Sequence, residues 1–281
     1  MIPIYKDTYL TVDGELSPIS YTIKDGEENI FNGKAWVKPN AENIEIKINE
    51  VCSDFVHPLN IELEYRTETK TYEHPQAIKT FEVVETETDN LLGSYTFIYD
   101  WSYDSHNFTT LSKPINGKKS VGMFDLETYV QNGKVYTDVS TVETGSMCGG
   151  EWAIYYVNSY GGWDSFLIEG SVVRKDGFVR YKTDNSINNN LKSDFGSKIY
   201  QTNIVPAYTI TTGWVNDTES EIIAKNVFGT PYMYLHNLIN GEIIPVNIDN
   251  GDVTHKTFKN NGRKLVNYTI NVISAQELRR K

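Results

Sequence analysis

The 281-residue chain carries 26 Lys+Arg against 37 Asp+Glu, a net charge of -11, with mean hydropathy -0.43 and 39% hydrophobic residues. An aromatic share of 12%, dominated by 19 Tyr, supplies core material and excludes a disordered chain, while the length predicts two domains, each able to bury its own core. No apolar run approaches the roughly 20 residues of a membrane-spanning helix, so no membrane partner is expected.

Residues 1–7 show neither a basic n-region nor an apolar h-region, which predicts synthesis in a cytoplasm without a secretion signal. Cys52 and Cys148, far apart in sequence, are expected to be reduced thiols. Residues 1–100 hold 8 Lys+Arg against 19 Asp+Glu, and the other 181 residues hold 18 against 18, so the whole net charge lies in the first third. Such a surface repels phosphates and argues against sequence-specific nucleic-acid binding.

Along the chain, Asp-Gly at Asp13, Asp25 and Asp176 and Asn-Gly at Asn32, Asn116, Asn132, Asn240, Asn250 and Asn261 supply the positive φ angles of tight hairpins, the signature of a β-meander. Ile44, Ile46 and Ile48 alternate with Glu45 and Lys47 as a half-buried strand, and Tyr95, Phe97, Tyr99 and Trp101 alternate likewise. The aperiodic stretch 144–150, with Gly145, Gly149 and Gly150, is the expected boundary between an acidic N-terminal β domain (1–143) and a C-terminal β domain (144–281) with a basic end. One short helix is predicted over 217–228, N-capped by Asp217 and stopped by Gly229 and Pro231. Segments 243–248, 253–258 and 265–272 read as three consecutive strands, and a second, weaker helix candidate covers 275–281. The fold class is therefore all-β, with two antiparallel sandwich or barrel modules.

Chemistry-bearing motifs are missing. There is no phosphate-cradling G-x-x-x-x-G-K-[ST] and no G-x-S-x-G nucleophile elbow. His57, His74, His106, His236 and His255 stand apart from one another and from the cysteines, and each is read as a surface or turn residue. No cofactor, metal ligand or catalytic residue is expected. Asp249-Asn250-Gly251-Asp252 resembles part of a calcium loop but lacks the distal Glu, and a turn explains it better. The Asn-x-Thr sequons at Asn107, Asn216 and Asn267 carry no meaning without secretion. Asp100, Asp104 and Asp164 beside Trp101, Tyr103 and Trp163 leave a sugar cleft open as an alternative to plain core and rim positions.

Three stretches resemble a known family. Residues 93–104 (GSYTFIYDWSYD) followed by Pro114-Ile115-Asn116-Gly117, residues 152–170 (WAIYYVNSYGGWDSFLIEG), and the end formed by 242–246 (EIIPV) and 256–272 (KTFKNNGRKLVNYTINV) are similar to virion proteins of phages of gut Bacteroidales, including the crAss-like podoviruses. The likeness spans most of the chain from residue 93 onward and is weaker over the first 90. It implies a tail hub or ring component with tail-tube-like β modules and no catalytic residues. The implied partners are a homo-oligomeric ring around the DNA conduit and other tail or portal-associated virion proteins, with at most passive contact with exiting DNA.

The last 30 residues hold seven Lys+Arg against two acids. Arg263, Lys264, Arg279, Arg280 and Lys281 are the expected interface residues, docking against an acidic domain. The alternatives kept open are a glycan-binding receptor module that stacks sugars on Trp101, Trp163 or Trp214, and a glycoside hydrolase using Asp100, Asp104 and Asp164.

Overall fold

The computed structural model describes residues 1–14, 18–57, 61–100, 108–112, 115, 118–143, 150–184, 197–249, 253–260, 263–276 and 278–279. The chain is all-β, as the turn chemistry predicts. It divides into two compact units: Met1–Lys113 with Phe124–Thr141 and Asn158–Asp164 form the first, and Pro114–Met123, Val142–Val157 and Ser165–Lys281 the second. The chain passes between units five times, where the sequence suggested one cut at 144–150; of that stretch only Gly150 lies among the described residues.

The first unit opens with β1 (Ile2–Pro3), β2 (Tyr9–Asp13), β3 (Ile19–Asp25), β4 (Glu28–Ala35) and β5 (Asn43–Lys47). After a helical turn, α1 (Asn49–Cys52), come β6 (Lys70–His74), β7 (Ile78–Glu85), β8 (Leu91–Ile98), β9 (Phe124–Gln131) and β10 (Lys134–Thr141). They make a five-stranded sheet in the order β1-β8-β7-β3-β4, a three-stranded sheet β6-β10-β9 and the pair β2-β5. The isoleucine alternation holds: Ile44, Ile46 and Ile48 are all buried, and Ile46 and Ile44 sit opposite Leu10 and Val12 of β2. Phe81, Val83 and Phe97 bury the face of the larger sheet. Fully burying side chains of this size stabilises by roughly 1.5–3 kcal/mol each, before the entropy of ordering them is subtracted.

Asn132 and Gly133 take φ of 51° and 76° between the paired Gln131 and Lys134, the two positive angles a type I′ hairpin needs. Gly26 does similar work between β3 and β4, with φ 62°. Asn32-Gly33 does not turn at all. It lies inside β4, where a Cβ on Gly33 would stand 2.5 Å from Tyr21 Cζ, so this glycine makes room for a ring packed across the strand. The steps at Asn116, Asn250 and Asn261 lie outside the described residues.

The second unit is built on β11 (Trp152–Val157), the Ser165–Ile168 part of β12 (Trp163–Ile168), β13 (Val172–Asp184), β14 (Ser197–Thr211), β15 (Met233–Asn237), β16 (Ile243–Ile248), β17 (Thr254–Asn260), β18 (Arg263–Ser274) and β19 (Leu278–Arg279). Their nine-stranded sheet runs β12-β11-β15-β16-β18-β14-β13, with β17 added to β18 and β19 to β14. The three C-terminal strands form as expected, but β16 and β17 both pair with the long β18, along different halves of it. The predicted helix is α2 (Asp217–Ile222), continued by a π turn over Ile223–Val227. Its cap is Asn216 rather than Asp217: the Asn216 side chain accepts from Glu219 N and the Glu219 carboxylate accepts from Asn216 N, a complete capping box. Ile223 and Val227 press into the core with Tyr156, Phe166, Ile210, Val266 and Ile270.

Among the described residues of 275–281 there is no helix. Leu278–Arg279 instead extends the sheet, pairing with Ile204 and Asn203 of β14. Asp176-Gly177 is likewise no turn but the middle of β13, opposite Pro206 and Val205. The result is a long two-stranded ribbon, in register from Val172↔Ile210 to Asp184↔Ser197 with one shift after Tyr181.

Candidate functional site

Asp100, Asp164, His74, His236 and Cys52 are buried. Asp100 and Asp164 have relative exposures of 0% and 1%, and Asp164 accepts a 2.6 Å hydrogen bond from Asn158 Nδ2, which also donates to the Leu111 carbonyl at 2.8 Å. The Asn158 Oδ1 accepts from Tyr160 N and Gly162 N. These bonds fold a tight loop. They do not present a carboxylate to a sugar, because an acid that attacks or protonates a glycoside must face the substrate. Trp163 is buried and is not the stacking platform the glycan-binding alternative requires. Asp104 and Trp101 lie outside the described residues.

Two histidines are core residues, contrary to the surface role expected of them. His74 is 1% exposed, its Nε2 lies 2.8 Å from Thr137 Oγ1, and burial lowers its pKa to about 4. His236 is buried against Tyr155, ring nitrogen to phenol oxygen at 3.1 Å, and burial lowers its pKa as well. Cys52 is a free buried thiol whose pKa burial pushes up to about 12, which withholds the reactive thiolate at neutral pH. Cys148 lies outside the described residues. Among the described residues no cluster of three His, Cys, Asp or Glu could hold a metal ion.

Of the expected interface residues, Arg263, Lys264 and Arg279 belong to strands of one sheet. Arg263 pairs with Asn260 at the start of β18, and the adjacent Lys264 is exposed, its Nζ 3.5 Å from Asp217. Arg279 continues the same sheet on β19, opposite Asn203. Arg280 and Lys281 lie outside the described residues. Hence β18, which carries Arg263 and Lys264, and β19, which carries Arg279, both belong to the sheet of the second unit. Beside the hairpin, Trp214 and Phe258 form an exposed tilted pair with ring centroids 6.0 Å apart.

No family model, curated protein or solved structure matches the chain.

Charge therefore has to be read from the two units themselves. The first holds 10 Lys+Arg against 24 Asp+Glu, net -14, which leaves 16 against 13, net +3, for the second. The division is sharper than the one between first third and remainder that the sequence offers, because the interleaved segments at 124–141 and 158–164 add acids to the acidic unit. Its exposed ion pairs, such as Lys134 with Glu73 at 2.7 Å and Lys70 with Glu62 at 2.7 Å, neutralise only part of that charge. Exposed pairs of this kind are screened by solvent and add little to folding, so the arrangement bears on association.

Proposed function

We propose that the chain is a structural protein of a bacteriophage tail, a hub or ring component that assembles into a symmetric ring around the DNA conduit. The observation that supports this reading is the segregation of charge, net -14 on one β unit and net +3 on the other. A ring of closed cyclic symmetry needs two different faces per subunit that meet head to tail, and opposite charge on two units of one chain is a direct way to provide them. An acidic surface also suits a conduit that must pass DNA without holding its phosphates. The resemblance of residues 93–117, 152–170 and 242–272 to phage virion proteins points the same way.

In this reading the basic hairpin and tail set register and orientation. Exchanging Arg263 and Lys264 for Glu and deleting residues 279–281 removes five positive charges and adds two negative ones. Rings seen for the parent chain by electron microscopy at physiological salt should then be lost, while circular dichroism stays unchanged. Rings that persist at the parental level would refute a role for this basic end. The exposed Trp214 and Phe258 pair favours a second reading, glycan binding at the rim of the sheet, and binding on a glycan array that vanishes in Trp214→Ala would support it.

A further inference from the structure

In the ribbon formed by β13 and β14, the outer strand β13 has water on both faces, while β14 is buried at Asn203, Tyr208 and Ile210. Every residue from Val173 to Lys182 is exposed, and among them are Val173 (50%), Phe178 (54%), Val179 (40%) and Tyr181 (38%), joined from the other strand by Ile199 (51%) and Tyr200 (66%). Cross-strand register assigns these to sides: Val173, Val179 and Tyr181 share one face, and Phe178, opposite Ile204, lies on the other. Tyr181 and Tyr200 lie against each other with centroids 6.2 Å apart.

The sheet supports only the root of this ribbon. On its far side β14 is covered by β18 over Ala207–Thr211 and by β19 at Asn203 and Ile204, whereas the free edge of β13 ends the sheet. Beyond the Val179↔Asn203 pair the two strands pair only with each other among the described residues. A two-stranded ribbon standing alone in water is marginal, and a third strand or a packed face is what ordinarily stabilises it. The three rings alone, with 54%, 38% and 66% exposed of roughly 150–250 Å² each, present on the order of 300 Å² of aromatic surface. Tyr181 with its ring neighbour Tyr200 makes the apolar surface of one face together with Val179, and Phe178 presents a second on the other, so a partner that buries this strand covers both faces.

Charge says what the surface fits. Over 172–182 and 199–211 the ribbon holds Arg174, Lys175, Arg180 and Lys182 against Asp176, net +3, and Arg174 spends part of its charge on Asp176 at 2.8 Å. The other unit of the same chain is net -14.

We propose that the β13–β14 ribbon is an assembly arm, which docks its Phe178, Val179, Tyr181 and Tyr200 side chains and its basic flanks onto the acidic unit of a second copy of this chain. The proposal rests on the reading of the chain as a ring subunit and names the element that makes the contact. The apolar side chains supply affinity, and the basic residues supply direction. Because arm and acceptor are different surfaces of one chain, the contact is heterologous and propagates until a ring closes.

The test uses the full chain with a photo-crosslinking amino acid in place of Tyr200, mixed from 14N- and 15N-labelled preparations so that a crosslink between copies is distinguished by mass. Crosslinks between copies that land in residues 1–113 or 124–141 support the proposal. Crosslinks between copies that land only in the second unit overturn it and leave ring formation standing. A second variant, Phe178→Ser with Val179→Ser, Tyr181→Ser and Tyr200→Ser, should weaken self-association measured by analytical ultracentrifugation on the order of tenfold or more, with the circular dichroism of the sheet kept. Unchanged association of that variant overturns the arm alone. A parent chain that stays monomeric at every concentration and salt examined overturns the ring reading and the arm together.

Discussion

His74 offers a direct check on the interior of the first unit. Thr128 Oγ1 accepts from Trp163 N at 2.9 Å and bonds Thr137 Oγ1 at 2.9 Å, and Thr137 Oγ1 in turn meets His74 Nε2 at 2.8 Å, while His74 Nδ1 has no partner. An unpaired lone pair costs less than an unpaired N–H, so the neutral ring carries its proton on Nε2, and protonation would place a second N–H at Nδ1 with nothing to receive it. Burial accordingly lowers the folded-state pKa to about 4 from the ordinary 6.5. The unfolded chain then binds the proton more readily than the folded one between these values. Stability from this group is fully present above pH 6.5, falls as the pH drops below it, and is gone near pH 4. Linkage over that window gives a loss of about 2 kcal/mol between pH 7 and pH 5. Carboxylates titrate nearby, so the comparison that isolates the histidine is parent against His74→Leu in urea unfolding followed by tryptophan fluorescence. At pH 7 the variant should be less stable by about 1 kcal/mol for the lost hydrogen bond. At pH 5 the order should reverse by a similar amount. Stability curves that run parallel in pH would refute the assignment of His74 as a neutral core residue.

Gly161 takes φ of 80°, and a Cβ there would collide with the Tyr99 carbonyl oxygen, so Gly161→Ala should cost at least about 1–3 kcal/mol and lower the melting temperature measured by calorimetry. Asn216→Ala removes the capping-box acceptor of α2 and should cost about 1 kcal/mol in urea unfolding, whereas Asn216→Asp should keep most of it. Phe81, fully buried in the five-stranded sheet, should cost about 3–5 kcal/mol as Phe81→Ala in the same assay.

Local signals read well wherever backbone need and residue type coincide. The period-two burial of Ile44, Ile46 and Ile48, the Asn132-Gly133 turn and the helix after Asn216 were all legible, since each is set within a few residues. Asn32-Gly33 misled because a glycine needed for room looks the same in sequence as one needed for a positive φ, and only the Tyr21 ring across the strand tells them apart. The terminal segment 275–281 has helix-forming residues, yet pairing with Asn203 and Ile204, over 70 residues earlier, draws Leu278–Arg279 into the sheet. His74 and His236 were misplaced for the same kind of reason, as their burial comes from partners distant in sequence: Thr137 for His74 and Tyr155 for His236. The arm gave no signal at all. A strand exposed on both faces has no hydrophobic period, and Asp176-Gly177 in its middle suggested a turn instead. Of the candidate surface, the basic residues could be counted from the sequence, but that hairpin, tail and arm share one sheet required β14 to be seen pairing with β13, β18 and β19.

The most direct test of a ring subunit is the mass of the purified full chain under native conditions, followed by mass spectrometry across a salt series. A discrete particle at a single integer multiple of the 32.0 kDa chain, dissociating as salt rises because exposed charge pairs are screened, is the predicted result. A 32.0 kDa monomer at low and high salt alike, up to the highest concentration reached, would contradict it.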